Sequence, residues 1–201
     1  MPRSMISEIY IGYVLIFCVK ASILKWKNFL KGFWSMKIKL AGLVSDSIVD
    51  GPGFRFTIFT QGCPHRCEGC HNPQTHDFEG GRYADCDRIM EKIRANKLIT
   101  GVTFSGGEPF CQAEACAYMA ERLKKDYHLL CFTGYTFEQL LEMGEKDGNV
   151  RRFLELMDVV VDGRFEPDKR SLELRFKGST NQRTIDVKES IKQGRAVEIE
   201  I

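Results

Sequence analysis

Apolar and polar residues follow two different periods along residues 36–201, and these periods predict a succession of strands and helices. Alternation of period two with β-branched residues predicts a strand, and apolar residues three or four positions apart predict a helix. The predicted strands are the segment that follows Met36 and residues 54–60, 101–104, 129–132, 158–161 and 196–201. The predicted helices are residues 83–96, 112–126, 137–143, 150–157 and 184–193.

The order of these elements predicts the fold class. Strands and helices that alternate at this pace form βαβ units, which build a parallel sheet. There are too few units for a closed eight-stranded barrel, so we expect an α/β fold with an open, curved parallel sheet, a partial (β/α) barrel. Such sheets carry their chemistry in the loops at the carboxyl ends of the strands. The loops that follow the predicted strands are residues 61–82, 105–111, 133–135 and 162–166.

Residues 1–35 have a different pattern from the rest of the chain. Their apolar run, residues 9–19, is 11 residues long, whereas a membrane-spanning helix needs about 20. Residues 23–34 mix lysines with aromatic and aliphatic residues, which is typical of a helix lying on a membrane surface. The strand-like segment directly after Met36 instead indicates a natural start there. We therefore expect residues 1–35 to be an extension, non-native or a weak membrane-surface segment, and residues 36–201 to be the functional domain.

Composition and charge exclude several classes of protein. The chain has 29 Lys and Arg against 27 Asp and Glu, a net charge of +2, whereas nucleic-acid-binding proteins usually have a basic face or tail. We therefore expect no nucleic acid partner, and the short apolar run predicts no stable membrane insertion. The apolar fraction of 43% is enough for a packed core, which argues against extensive disorder.

Cysteine is unusually frequent and unevenly placed. Three of the eight cysteines, Cys63, Cys67 and Cys70, lie within eight residues. A secreted protein held together by disulfides is usually shorter and has cysteines throughout its length. The clustering favours a cytoplasmic protein with one thiolate-rich metal site. Buried thiols of the core are expected at Cys86, Cys116 and Cys131.

The C-x3-C-x2-C motif itself indicates the kind of metal centre. Thiolates are soft ligands that suit iron–sulfur clusters and zinc. A cubane cluster held only by protein takes four cysteines, so three leave one iron free to bind a substrate or cofactor. Pro64 and Gly69 disfavour a regular helix and let the chain wrap around a cluster. A structural zinc site that adds a histidine is the alternative, and its candidate ligands are His65, His71 and His76.

A second motif places the cysteine loop in a family. Residues 105–109, SGGEP, follow the strand predicted at 101–104 and begin 35 residues after Cys70. In this order the two motifs resemble those of radical S-adenosylmethionine (SAM) enzymes. DGPG before the cysteine loop and CHNP after it are similar to the glycyl-radical-enzyme activases. The segments FTGY at 132–135, DGRF at 162–165 and GSTNQR at 178–183 look like the activators of anaerobic (class III) ribonucleotide reductases.

The resemblance, which covers residues 36–201, implies a radical SAM partial (β/α) barrel and a specific reaction. A [4Fe–4S] cluster held by Cys63, Cys67 and Cys70 would cleave SAM reductively to methionine and a 5′-deoxyadenosyl radical, which would generate the glycyl radical of an anaerobic ribonucleoside-triphosphate reductase. No catalytic residue is implied beyond the cluster and SAM. The implied partners are that reductase and a flavodoxin- or ferredoxin-type reductant, and a homodimer is a further expectation. SAM contacts are implied for Gly69, Cys70, His71, Gly106, Gly107, Glu108 and Asp162.

Two other functions are compatible with the sequence. A pyruvate formate-lyase-type activase, or another radical SAM enzyme that acts on a small molecule, shares the two motifs but not the segments at 132–135, 162–165 and 178–183. A non-catalytic iron–sulfur or zinc module has no use for SGGEP. For Glu108 and Asp162, a structural carboxylate is the alternative to a SAM contact. The sequence leaves open the reductant, the oligomeric state and the roles of Asn181, Gln182 and Arg183.

Overall fold

A sheet of seven strands forms the centre of the computed structural model, which describes residues 35–201. The strands are β1 (Lys37–Ser47), β2 (Arg55–Thr60), β3 (Arg82–Asp85), β4 (Gly101–Gly106), β5 (His128–Phe132), β6 (Val159–Asp162) and β7 (Arg183–Asp186). In space their order is β3-β1-β2-β4-β5-β6-β7, so the sheet is open, with edges at β3 and β7. The predicted extension, apart from residue 35, lies outside the described residues.

The middle of the sheet is parallel and both sides are antiparallel. β2, β4, β5 and β6 run in the same direction, which places their carboxyl ends at one end of the sheet. β1 pairs antiparallel with β2 and β3, and β7 pairs antiparallel with β6. The predicted α/β class with an open sheet is confirmed. The sheet was predicted to be parallel, and it is parallel over its four central strands and antiparallel on both sides.

Helices follow most of the strands: α1 (Cys86–Ala95), α2 (Ala113–Leu123), α3 (Phe137–Lys146), α4 (Gly148–Leu156) and α5 (Val187–Gln193). Four of them begin at a side chain that accepts hydrogen bonds from the first-turn amides, which would otherwise be unpaired. These residues are Asp85, Thr136, Asp147 and Asp186. Within residues 35–201, no helix has the length and apolar character needed to cross a membrane.

Two helix predictions were wrong at their starts. The helix predicted at residues 83–96 is strand β3 up to Asp85, and the helix predicted at 184–193 is strand β7 up to Asp186. In both segments the backbone pairs with a neighbouring strand, and the aspartate at the strand's end then caps the helix. Pairing with a sheet outweighs the helical apolar spacing because that spacing is ambiguous over so few residues.

The strand predicted at residues 196–201 was also wrong. Glu198 makes a single bridge to Ile185, and the Ile199 amide donates to the Thr184 carbonyl at 2.8 Å. Ile199 and Ile201 pack against apolar side chains of β5 and β6. The segment therefore covers part of a sheet face and does not extend the sheet.

Alternate residues along the strands divide the sheet into a helix-covered face and a face with a cavity. Ile58 and Phe104 are fully buried in the core that includes the helices. The residues that follow them, Phe59 and Ser105, line the cavity. Successive side chains of a strand point to opposite faces, so the cavity lies on the face that the helices leave uncovered.

A buried arginine joins the amino ends of the parallel strands. Arg55 donates to the carbonyl oxygens of Val102 at 2.7 Å and His128 at 3.1 Å, and to the Thr103 hydroxyl at 2.5 Å. Burial lowers the pKa of Arg55 to about 10, so the guanidinium stays charged at neutral pH. A Cβ at Gly51 would lie 2.8 Å from the Arg55 Cδ. The DGPG turn thus uses this glycine to leave room for the arginine.

Candidate active site

The loops at the carboxyl ends of β2, β4, β5 and β6 surround a cavity of about 660 Å³. Cys63, Cys67 and Cys70 line it together with Gly106 and Gly107. The cysteine motif and the SGGEP motif lie far apart in the sequence, but they follow adjacent parallel strands. The topology therefore brings the two motifs to one site.

Main-chain hydrogen bonds close the base of the cysteine loop, residues 61–81. The Gly62 amide donates to the Thr75 carbonyl at 2.8 Å, and the Cys63 amide donates to the His76 carbonyl at 3.1 Å. We call these paired residues the neck of the loop. The neck holds the three cysteines on a closed turn of chain.

Main-chain amides donate to the sulfurs of two cysteines. Cys63 is buried, and the backbone N–H groups of His65 and Arg66 donate to its sulfur. The Asn72 amide donates to the Cys70 Sγ at 3.4 Å. Burial raises the pKa of the Cys63 thiol, and the two amides oppose part of that rise. Amides directed at cysteine sulfurs tune the potential of iron–sulfur clusters.

These residues fit a [4Fe–4S] cluster with one free iron. Within residues 35–201, no three His, Cys, Asp or Glu side chains could hold a single metal ion. In a cubane cluster each cysteine binds a different iron, so its ligands do not converge on one point. His65 and His76 line the cavity, and His65 Nδ1 and His76 Nε2 are buried with no partner in the described chain. Unpaired buried nitrogens in a cavity wall are expected where a bound group completes the site.

The two glycines of SGGEP are required by close contact between main chains. Gly106 has φ +97°, and a Cβ there would lie 2.6 Å from the Thr60 nitrogen. A Cβ at Gly107 would overlap the Gly62 carbonyl oxygen. The Gly107 amide donates to the Thr60 carbonyl, and the Glu108 amide donates to the Gly62 carbonyl, both at 2.8 Å. The SGGEP loop is thereby fixed against the neck of the cysteine loop.

Glu108 is fully buried, and protein donors occupy both of its carboxylate oxygens. Oε1 accepts from the Phe110 amide at 3.1 Å and the Thr133 hydroxyl at 2.9 Å. Oε2 accepts from the Gly134 amide and from His65 Nε2, both at 2.9 Å. The carboxylate therefore links the loops that follow β2, β4 and β5.

Asp162 also directs its carboxylate at protein donors. Its Oδ2 accepts from the Phe137 amide at 2.7 Å and from the Arg183 guanidinium at 2.6 Å. Arg183 also pairs with Glu138 at 2.7 Å. These contacts raise the pKa of Arg183 and lower that of Glu138. The Asp162–Arg183–Glu138 group joins β6, β7 and the first turn of α3.

Two side-chain amides join the loop after β6 to the GSTNQR segment. Gln182 Oε1 accepts from the Gly178 amide at 2.8 Å, and its Nε2 donates to the Gly163 carbonyl at 3.0 Å. Asn181 Nδ2 donates to the Arg164 carbonyl at 2.8 Å. The sequence did not indicate a role for Asn181 or Gln182. The structure shows that both bind the main chain of residues 163–164, which line the cavity.

Four of the seven residues predicted to contact SAM line the cavity: Cys70, His71, Gly106 and Gly107. The other three, Gly69, Glu108 and Asp162, are not part of the lining. His71 also contacts Phe165, with ring centroids 5.3 Å apart. SAM contact by any of the seven stays a prediction.

The far wall of the cavity was not predicted from the sequence. It comes from the end of β1 with the turn after it, and from residues 176–178. In that turn the Asp50 carboxylate accepts from the hydroxyls of Ser47 at 2.6 Å and Thr57 at 3.0 Å. DGPG was a signal for this wall, because Asp50 is its first residue.

Known proteins that resemble this chain were found by sequence and by structure. A family model described as a 4Fe-4S single cluster domain matches residues 49–185. The anaerobic ribonucleoside-triphosphate reductase-activating protein of Vibrio cholerae serotype O1 is 33% identical over 144 residues, which cover 67% of this chain and 89% of that protein. The pyruvate formate-lyase-activating enzyme of Clostridium pasteurianum is 33% identical over 128 residues, 61% of this chain and 50% of that enzyme. Among solved structures, QueE from Escherichia coli aligns with a TM-score of 0.41 at 17% identity, covering 50% of this chain and 54% of QueE.

Proposed function

Since the chain belongs to the family of anaerobic ribonucleoside-triphosphate reductase-activating proteins and carries a 4Fe-4S single cluster domain, we propose that it generates the glycyl radical of such a reductase. It is an enzyme of the radical SAM class, with a [4Fe–4S] cluster and SAM as cofactors. The observation that carries the proposal is the meeting of the cysteine motif and the Gly106-Gly107 loop on one cavity.

The residues of the site have two roles: some would bind the cluster, and others form the cavity around SAM. Cys63, Cys67 and Cys70 would hold the cluster, and the Gly106-Gly107 main chain would approach SAM. The chemistry supplied by the bound cluster and SAM is one-electron reductive cleavage to methionine and a 5′-deoxyadenosyl radical, which takes a hydrogen atom from a glycine of the reductase. The chain itself contributes position and electrostatics.

Aromatic walls protect this chemistry from side reactions. Phe59, Phe132 and Phe165 line the cavity. Enclosure of a reactive site excludes water and competing reactions. Hydrogen is held more strongly on an aromatic ring than on a glycine Cα, so the rings of these side chains are poor hydrogen donors. The walls therefore favour the partner's glycine as the hydrogen source.

Exposed apolar residues near the cavity suit a protein substrate. Ile48 and Val49, in the turn after β1, are 65% and 74% exposed, and Leu172 is 88% exposed. Ile48 and Val49 lie in the turn that forms part of the far wall, and Leu172 precedes the wall residue Phe176 by four positions; Val49 and Phe176 line the cavity. Exposed apolar patches around a site mark protein-binding surfaces. We name Ile48, Val49 and Leu172 the apolar rim.

A flavodoxin- or ferredoxin-type protein is the reductant that we propose. Cys67 and Cys70 are partly exposed, and Arg66 and Glu68 beside them are exposed. A cluster held there would lie close to the surface, within reach of a docked electron carrier. A cytoplasmic location and a homodimer stay predictions.

Anaerobic reconstitution with iron and sulfide, followed by EPR spectroscopy, tests the proposed function. We expect the reduced protein, given SAM and the purified reductase, to produce a glycyl-radical doublet on the reductase together with methionine and 5′-deoxyadenosine. Cys67→Ala is expected to abolish both signals, because it removes a cluster ligand. Cys111→Ser is the matched control, since Cys111 is exposed and outside the motif, and it should retain both.

Two other outcomes would change the proposal. If SAM is cleaved but no radical forms on the reductase, the proposed chemistry is correct and the proposed substrate is wrong. Pyruvate formate-lyase would then be tested as the substrate. A folded protein that neither incorporates a cluster nor cleaves SAM would contradict the proposal.

A further inference from the structure

Asp50 is a carboxylate of the cavity wall, and the protein bonds to only one of its two oxygens. Oδ2 accepts from the Ser47 hydroxyl at 2.6 Å and from the Thr57 hydroxyl at 3.0 Å, whereas Oδ1 accepts no hydrogen bond within residues 35–201. The buried side-chain atoms of this range that lack a partner do not include Oδ1, so Oδ1 is accessible. Because Asp50 lines the cavity, this oxygen is the part of the side chain left for a bound molecule.

The surrounding hydroxyl groups hold the carboxylate in one orientation. A carboxylate only accepts, so the Ser47 and Thr57 hydroxyls direct their hydrogens at Oδ2. The Ser47 oxygen in turn accepts from the Val49 amide at 3.3 Å. The Asp50 carbonyl accepts from the Thr103 hydroxyl at 2.7 Å, which fixes the main chain of the turn as well. Oδ1 is thus preorganised as an acceptor.

Asp50 lies some way along the strands from the cysteine loop. Its partner Thr57 is three residues before the end of β2, which corresponds to about 10 Å along the strand. The cysteine loop and the SGGEP loop lie at the carboxyl ends of β2 and β4. A cluster and SAM held by those loops leave Asp50 facing the part of the cavity next to the apolar rim.

We propose that Asp50 Oδ1 accepts a hydrogen bond from a main-chain N–H of the reductase segment that carries the reacting glycine, an inference that rests on the proposed function. Hydrogen transfer requires the glycine Cα to come into contact with the radical carbon, so the main chain around this glycine must enter the cavity. A main-chain N–H that leaves water needs an acceptor. Asp50 directly follows Ile48 and Val49, so a segment docked on the apolar rim passes this carboxylate.

Asp50→Asn changes the atom that faces the cavity and keeps the shape of the side chain. The Ser47 and Thr57 hydroxyls place the amide oxygen at the position of Oδ2, so the NH2 group takes the position of Oδ1. A donor then faces the N–H of the segment. A second variant, Asp50→Ser, removes Oδ1 and keeps a hydroxyl for the same two partners.

Asp158→Asn is the matched control. Burial lowers the pKa of Arg55, and the carboxylates of Asp158 and Asp50 oppose part of that shift. Both asparagine substitutions therefore remove one negative charge that supports Arg55. Asp158 precedes β6 and is not part of the cavity lining, so only the Asp50 substitutions change the cavity.

Initial rates of glycyl-radical formation are measured by EPR against the concentration of the purified reductase, with reconstituted protein, reductant and saturating SAM. We expect Asp50→Asn and Asp50→Ser to raise KM for the reductase about tenfold, the effect of one lost hydrogen bond. Their dissociation constants for SAM, measured by equilibrium dialysis with the cluster oxidised, should stay within about twofold of the wild-type value. Asp158→Asn should lower the urea unfolding midpoint, as Asp50→Asn does, and leave KM within about twofold.

An unchanged KM in the Asp50 variants would overturn the inference. An equal rise of KM in Asp158→Asn would also overturn it, because the effect would then come from lost support of Arg55. A tenfold loss of SAM affinity in Asp50→Asn would overturn it as well and would assign Oδ1 to SAM. Failure of the wild-type protein to form the radical on the reductase would instead contradict the proposed function.

Discussion

At the scale of single residues, Glu108 is central to the site without lining its cavity. A family resemblance assigns this carboxylate to SAM, whereas the structure gives it four protein donors. Three of these come from residues 25 to 43 positions away in the sequence. The three cysteines predicted to hold the cluster could be picked out from their spacing alone. The partners of Glu108 could not, because they depend on how separate loops meet.

Glu108→Gln is predicted to destabilise the protein although the side chain keeps its shape. Each oxygen accepts from one main-chain amide, Phe110 for Oε1 and Gly134 for Oε2. Whichever way the new amide is oriented, its NH2 group faces a donor. We expect the free energy of unfolding of the apo protein to fall by about 1–3 kcal/mol, measured by urea denaturation.

The control for this prediction is Glu91→Gln on α1, where the side chain is exposed. It should change the free energy of unfolding by no more than about 0.5 kcal/mol. A Glu108→Gln variant as stable as the wild type would show that the four donors do not depend on an ionised carboxylate.

At the scale of elements, the two edge strands of the sheet, β3 and β7, are the strands that the sequence pattern wrongly predicted as parts of helices. β3 and β7 are each four residues long and lead directly into a helix, so their residues fit the helical spacing of the segment that follows. The central strands β2 and β4 were predicted correctly, because they are longer and rich in β-branched and aromatic residues. The edge strands form because they pair with strands that lie outside the local sequence window, and local periodicity carries no information about those strands. Asp85 and Asp186 mark the true helix starts.

Arg183 gives β7 a predicted dependence on pH. It lowers the pKa of Glu138 below the ordinary value of 4.5. A carboxylate with a lowered folded-state pKa stabilises the protein above its unfolded pKa, and that stability is lost as the pH falls through the folded value. Arg183→Gln should therefore reduce stability at pH 7 by about 1–3 kcal/mol, chiefly through the buried Asp162. It should also make the acid-side loss of stability shallower.

Urea unfolding of the apo protein between pH 7 and pH 3 measures both effects. Arg151→Gln is the matched control, because Arg151 forms an exposed pair with Glu155 and such pairs contribute about 0.3–0.5 kcal/mol. An Arg183→Gln curve parallel to that of the wild type would refute the assigned role.

At the scale of the whole molecule, the helices cover one sheet face and leave the other for the cavity. The parallel strands bring the cysteine loop, the SGGEP loop and the loop after β6 to one end of the sheet. The order of these loops was predictable from the alternation of strands and helices. The far wall was not, because it combines the turn after β1 with residues 176–178, more than 120 positions later.

The apolar rim is predicted to affect docking of the protein substrate and to have no effect on SAM cleavage. Leu172→Glu should lower the rate of glycyl-radical formation on the reductase about tenfold, since a charge would have to be buried on docking. SAM cleavage measured without the reductase should not change, because Leu172 does not line the cavity. EPR of the reductase and chromatographic detection of 5′-deoxyadenosine give the two rates.

Leu98→Glu is the control, since Leu98 is 67% exposed and precedes β4, at the opposite end of the strands. It should leave both rates unchanged. Equal effects of the two substitutions would refute docking at the rim.

The neck anchors the cysteine loop through main-chain hydrogen bonds. Its hydrogen bonds join main-chain atoms, which almost any residue supplies, so they do not depend on the side chains of the segment they enclose. Pro73 and Gln74, which are exposed and do not line the cavity, can therefore change in side chain while the cysteines keep their anchorage. Substitutions at these two positions would change the surface charge beside the cysteines and leave the neck and the cavity lining as they are.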